Sequence, residues 1–163
     1  MNNNQIDFII AARDGEHRHH NLTVAGVQQA IDLGDTIKQL ARGKCIEIFT
    51  SPIARAHETA KIIQDITKAH SLVTCASLER DRYTDGIAQI EEITTSLTDK
   101  GNVVVVISHY EAPSGIIHAA SSLYGTPRIS YPCREIARGE ALVLEVKTGT
   151  VTRVPYNKPS LQR

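Results

Sequence analysis

Val103-Val104-Val105-Val106-Ile107 puts five β-branched residues in a row. Such side chains are stiff at χ1 and favour extended backbone. A strand that is apolar at every position, instead of every second one, must be buried on both faces. A sheet covered by helices on both sides provides that environment. The run therefore predicts the centre of a parallel sheet in an α/β protein.

Ile6 to Ala12 has the same character and ends in Arg13-Asp14-Gly15-Glu16-His17. Cys45 to Thr50 and Leu72 to Cys75 are shorter strand candidates. Helical periodicity fills the gaps. Thr23 reads as a cap, with Val24, Val27, Ala30, Ile31, Gly34, Ile37 and Leu40 behind it and Gly43 as the stop. Ser51 reads as the cap of a second helix, with Pro52 at its first position and Ala56, Ala60, Ile63 and Ile66 on its apolar face. Ile87, Ile90, Ile93 and Leu97 mark a third helix. Ala112 to Leu123 forms a fourth, with Pro113 in its first turn. Pro127 and Pro132 make a loop. Ala141–Val146 and Val151–Val154 form a closing hairpin, and the tail after Pro155 is expected to fray. The alternation predicts a three-layer αβα sandwich, with a mostly parallel central sheet and a C-terminal hairpin. With 163 residues and no repeat or linker, residues 1–163 are expected to form a single domain.

Composition narrows the function classes. Lys+Arg and Asp+Glu both number 18, so no charge excess suggests a nucleic-acid or membrane surface. Any anion specificity must come from a few placed arginines. The polar start Met1-Asn2-Asn3-Asn4-Gln5 and the lack of an apolar run near 18 residues give an expectation of a soluble cytoplasmic protein. Cys45, Cys75 and Cys133 are odd in number and lack Cys-x-x-Cys spacing, which favours buried reduced thiols over disulfides or a zinc site.

Ligands in open α/β sheets sit beyond the carboxyl ends of the strands. Three such ends carry polar residues: Arg13 and Asp14, Arg55 just beyond Ser51-Pro52, and His109 after Ser108. Arg13 alone would read as a strand-end salt bridge. With Arg55 and His109 at corresponding ends, a shared anion pocket is the better reading. Ser108 is read as a strand-end hydrogen-bonding residue. His17, His19 and His20 read as a solvated loop at the pocket mouth in preference to a metal site, which needs ligands held on ordered elements. His57 is a rim or surface residue. Glu79, Asp81 and Asp85 read as a solvated charged loop.

These residues resemble a family. Arg-x-Gly-Glu after the first strand, then Leu22-Thr23-x-x-Gly26, then Thr50-Ser51-Pro52-x-x-Arg55-Ala56-x-x-Thr59-Ala60, then Ser108-His109 resembles the histidine phosphatase (phosphoglycerate mutase-like) superfamily. The short length and closing hairpin are most similar to the small bacterial phosphohistidine phosphatases. The resemblance implies a phosphate pocket in which Arg13 and Arg55 clamp phosphoryl oxygens and His109 donates to the same group, with Glu79 in the stretch where larger relatives place a general acid. It implies neither metal nor organic cofactor. Phosphate or a phosphorylated small molecule or protein would be the partner. The oligomeric state is left open.

The family motif is Arg-His-Gly, whose histidine takes the phosphoryl group. Here the motif is Arg13-Asp14-Gly15. A carboxylate oxygen stops short of the far imidazole nitrogen, and in-line attack needs reacting atoms roughly 3–3.5 Å apart. Asp14 should also pair with Arg13 or Arg55 and repel phosphate; two unit charges 4 Å apart interact by roughly 4 kcal/mol at an effective dielectric of 20. Three rescues stand beside this: an aspartyl phosphate on Asp14, a nucleophilic His17, or an Arg-His-Gly parent altered at one position. The leading expectation is a phosphohydrolase pocket for phosphohistidine or small phosphomonoesters, impaired by Asp14. The alternative is a pseudophosphatase that binds a phosphorylated protein or another partner without cleaving it.

Overall fold

The computed structural model describes residues 6–98, 102–124 and 136–154. In chain order the elements are β1 (Phe8–Arg13), β2 (His17–Arg18), β3 (Asn21–Leu22), α1 (Val24–Ala41), β4 (Ile46–Thr50), α2 (Ala54–Thr67), β5 (Ser71–Thr74), α3 (Gly86–Ser96), β6 (Val103–Ser108), α4 (Ala112–Leu123), β7 (Ala141–Glu145) and β8 (Thr150–Val154). The main sheet has the order β5-β4-β6-β1-β7-β8. Its first four strands are parallel, and β7 and β8 close it as an antiparallel hairpin.

The β-branched run is β6, flanked by β4 and β1 and buried at all six positions. Successive side chains alternate between the two faces. Val104 and Val106 join Ile9, Ala11, Phe49 and Leu142 beneath α3 and α4, where Ile90, Ile93, Ile116 and Ile117 complete one core. Val103, Val105 and Ile107 join Ile10, Ala12 and Ile48 beneath α1 and α2, where Leu33, Ile37, Ala60 and Ile63 complete the other. These are the three layers that the sequence leads one to expect.

Several boundaries differ from that expectation. Helix α2 starts at Ala54, with Ile53 as a cap residue that makes no side-chain capping bond. Ser51 and Pro52 therefore lie outside the helix. Ser51 still accepts the Ile53 N–H through Oγ at 3.2 Å, but it also faces His109. Helix α1 ends as anticipated near Gly43, yet the left-handed turn is shared: Arg42 has φ 47° and Gly43 φ 81°. The polar stretch after β1 contains the small β2–β3 hairpin. The charged stretch before α3 forms two 3₁₀ turns, Ala76–Glu79 and Tyr83–Asp85. Cys45 and Cys75 are free thiols. Burial pushes the Cys75 thiol up to about 11, with the Glu92 charge adding to it. Cys133, Pro127, Pro132, Met1 to Gln5 and the tail from Pro155 lie outside the described residues. Among the described residues no helix is long and apolar enough to cross a membrane.

Candidate active site

The sheet register brings Asp14, Arg55 and His109 together, with Arg13 at the same sheet edge. Arg13 pairs with Ser108, and Thr50 with Ile107, so Asp14, Ser51 and His109 leave neighbouring strands at one edge. Backbone bonds hold this edge. Asp14 N–H donates to Ser108 O at 3.0 Å, and Ser51 N–H to Ile107 O at 3.1 Å. On the other side of β1, Gly139 N–H donates to Asp14 O at 3.0 Å.

The loop after Asp14 is pressed against α1 and α2. A Cβ on Gly26 would lie 1.9 Å from Glu16 O, so only glycine allows the loop to pass the first turn of α1. Thr23 caps that turn by accepting Gly26 N–H at 3.1 Å, and its hydroxyl lies 3.1 Å from Glu16 Oε1. Gly15 N–H donates to Thr59 Oγ1 at 3.2 Å, and Thr59 Oγ1 donates to Arg55 O at 2.8 Å. This chain of bonds ties the loop to the helical turn that carries Arg55.

Asp14 is 2% exposed. Its Oδ2 accepts Arg55 Nε–H at 2.6 Å, lies 3.2 Å from His109 Nδ1, and lies 3.9 Å from His17 Nδ1. The carboxylate thus pairs with Arg55. One oxygen position is ringed by a guanidinium and two imidazoles drawn from α2, the end of β6 and β2. Burial lowers the His17 pKa; Arg55 and Arg138 lower it further, against the Gly15 carbonyl and Asp14.

Arg13 is buried at the same edge. Its Nη1 donates to Ile136 O at 2.8 Å, and its guanidinium carbon sits 4.8 Å from the centre of the Tyr110 ring. Tyr110 is a site residue that sequence reasoning misses. It follows His109 directly, adopts φ 47°, and is 41% exposed over Arg13. Its place directly after a strand-end histidine, in a chain with 4% aromatics, is the available signal.

Other candidates fall outside this cluster. Glu79 is exposed at the end of its 3₁₀ turn, and among the described residues no hydrogen bond or ion pair joins it to Asp14, Arg55 or His109. Asp85 instead accepts Arg82 N–H at 3.2 Å. His19 and His20 are exposed in the β2–β3 turn, away from the place His17 takes near Asp14. Among the described residues no group of three or more His, Cys, Asp or Glu is arranged to hold a metal ion. Ser108 hydrogen-bonds at the strand end through its carbonyl, which accepts Asp14 N–H, while among the described residues no partner reaches its buried Oγ.

Residues 10–81 match the model of the histidine phosphatase superfamily (branch 1), a span that includes Arg13, Asp14 and Arg55. That signature spans 72 of the 163 residues, and the fold is that of solved phosphatases and mutases. The ecdysone phosphate phosphatase of Bombix mori, solved with tungstate, aligns with a TM-score of 0.71 at 14% identity, covering 96% of this chain and 95% of that one. The protein histidine phosphatase SixA with tungstate gives 0.62 at 18% identity, covering 91% and 94%. Phosphoglycerate mutase from Plasmodium falciparum gives 0.56 at 23%, covering 92% and 89%. No curated protein matches the sequence. At these identities the likeness to solved structures is one of fold. In this phosphoglycerate mutase-like fold, the carboxyl edge of the parallel strands is where the Asp14 cluster lies.

Proposed function

We propose that Arg13, Arg55 and His109 form an oxyanion site for a phosphoryl group, and that phosphohydrolase chemistry at this site is impaired by Asp14. The observation that carries the reading is the position of Asp14 Oδ2, with Arg55 Nε at 2.6 Å and His109 Nδ1 at 3.2 Å. An anionic oxygen already occupies the place where these groups would meet a phosphoryl oxygen. A phosphorylated ligand must compete with it, and must approach a carboxylate where the superfamily pattern has a nucleophilic imidazole. The tungstate complexes of the ecdysone phosphate phosphatase and of SixA support an oxyanion as the ligand class.

The same buried ion pair favours a second reading. With its would-be nucleophile locked to Arg55, the protein would bind a phosphorylated protein without cleaving it. Hydrolysis of an aryl phosphate by the native chain, Asp14→His and Asp14→Asn separates the cases. Turnover in Asp14→His alone supports an impaired phosphohydrolase. Native turnover that disappears in Asp14→Asn points to an aspartyl nucleophile. No turnover in any form, with native binding of a phosphopeptide, supports the pseudophosphatase. Phosphate affinity is expected to rise about tenfold in Asp14→Asn, since roughly a third of the ~4 kcal/mol repulsion at 4 Å suffices. Unchanged affinity, read by calorimetry, overturns the oxyanion assignment.

A further inference from the structure

We infer that Ser51 is a positioning residue that fixes His109 as its Nδ1–H tautomer, so that a neutral ring carries its N–H beside the oxyanion position. Ser51 Oγ lies 2.8 Å from His109 Nε2 and accepts Ile53 N–H at 3.2 Å. Ser51 is fully buried, and no other hydrogen bond reaches its Oγ among the described residues. A buried hydroxyl has one proton to donate, and leaving that bond unmade is costly. Ile53 N is itself a donor and cannot take the proton. It goes to His109 Nε2, which must then be bare. A neutral imidazole bare at Nε2 carries its proton on Nδ1. Nδ1 is buried 3.2 Å from Asp14 Oδ2, a contact outside hydrogen-bond geometry, and among the described residues no hydrogen-bond partner reaches it.

Ser51, His109 and Asp14 stand in the order of an acyl-transfer triad. Two observations exclude Ser51 as a nucleophile. It is 0% exposed, and the next residue is Pro52, which has no N–H to hold an oxyanion beside an attacking serine. Ser51 acts through His109.

The functional meaning of this tautomer rests on the oxyanion reading above; the tautomer itself does not. The test is long-range ¹H–¹⁵N correlation of the His109 ring near pH 7.5, assigned by its loss in His109→Gln. The native ring is expected to be protonated at Nδ1 and bare at Nε2. Asp14→Asn replaces a carboxylate, which favours Nδ1–H by charge, with an amide able to accept or donate; Nδ1–H should persist. In Asp14→Asn/Ser51→Ala the ratio should fall from at least about tenfold in favour of Nδ1–H to within roughly threefold of parity. Ser51→Cys in the same background, a weak donor of similar volume, should give the same loss and serves if the alanine form does not fold. Ser108→Ala removes a neighbouring buried hydroxyl and should leave the tautomer unchanged. An Nε2–H or doubly protonated ring in the native or Asp14→Asn protein overturns the inference. So does undiminished Nδ1–H in the double variants. Inorganic phosphate added to Asp14→Asn should shift the Nδ1 resonance; no shift would defeat the oxyanion reading while the tautomer fixed by Ser51 still stood.

Discussion

Asp14 is a buried charge whose tolerance depends on Arg55. Removing one member of a buried ion pair leaves the other uncompensated, at a cost of about 3–5 kcal/mol. Arg55 retains 16% side-chain exposure, so water offsets part of this. Arg55→Ala should destabilise by about 2–3 kcal/mol in urea unfolding, and Asp14→Ala added to it should recover most of that loss. Equal losses in the single and double variants would remove the pair from the account. His17 gives a pH dependence. Its folded pKa lies below the unfolded value near 6.5, mainly through burial. Between the two values the unfolded chain binds more protons, so stability rises with pH there. The stabilising contribution is fully present above about pH 6.5 and is lost as pH falls through the lowered folded value. His17→Gln should therefore flatten the fall in urea midpoint between about pH 7 and pH 5. An unaltered slope would mean that other groups carry it. At this scale Arg13, Asp14, Arg55 and His109 are legible in the sequence because each lies at a strand end or in the helical turn that follows one. The link between Ser51 and His109 is not. It spans 58 positions and depends on the side-chain direction at the end of β4.

Helices α3 and α4 pack through glycine. A Cβ on Gly115 would fall 2.1 Å from Tyr83 O, and one on Gly86 would fall 2.2 Å from Gly115 O. Backbone cannot yield to a methyl group at these distances without moving the helix. Gly115→Ala should lower stability by about 2–3 kcal/mol despite its better helix propensity, read as a lower thermal midpoint. A neutral or stabilising result would mean that α4 shifts freely. The N-terminus of α1 makes a contrasting case. Thr23 caps it through Gly26 N–H and also bonds back to Glu16, so Thr23→Ala should cost about 1 kcal/mol or more. The α1 cap is readable because Thr followed by helical periodicity is a local signal. The α2 start shows where such a signal misleads. Ser51-Pro52 has the local chemistry of a helix entrance, but register with β6 and the bond to His109 hold Ser51 at the strand end.

The whole molecule is two cores joined by one sheet, and β6 with β1 sits at the join. Native-state hydrogen exchange should find the slowest amides in β6 and β1, exchanging only through global unfolding, with β8 and the β2–β3 hairpin faster. Protection in β8 equal to that in β6 would contradict this ranking. The layer order follows from patterning: an all-apolar strand needs cover on both faces, and alternating helices provide it. The amino-acid sequence by itself thus determined the α/β class, the central strand, the closing hairpin and the strand-end polar residues, because these depend on burial and short-range periodicity. Tertiary structure decided that Asp14 pairs with Arg55, that Tyr110 covers Arg13, and that Ser51 faces His109. Those contacts depend on strand order and register, which bring distant residues within a few ångströms, and no local propensity encodes that distance.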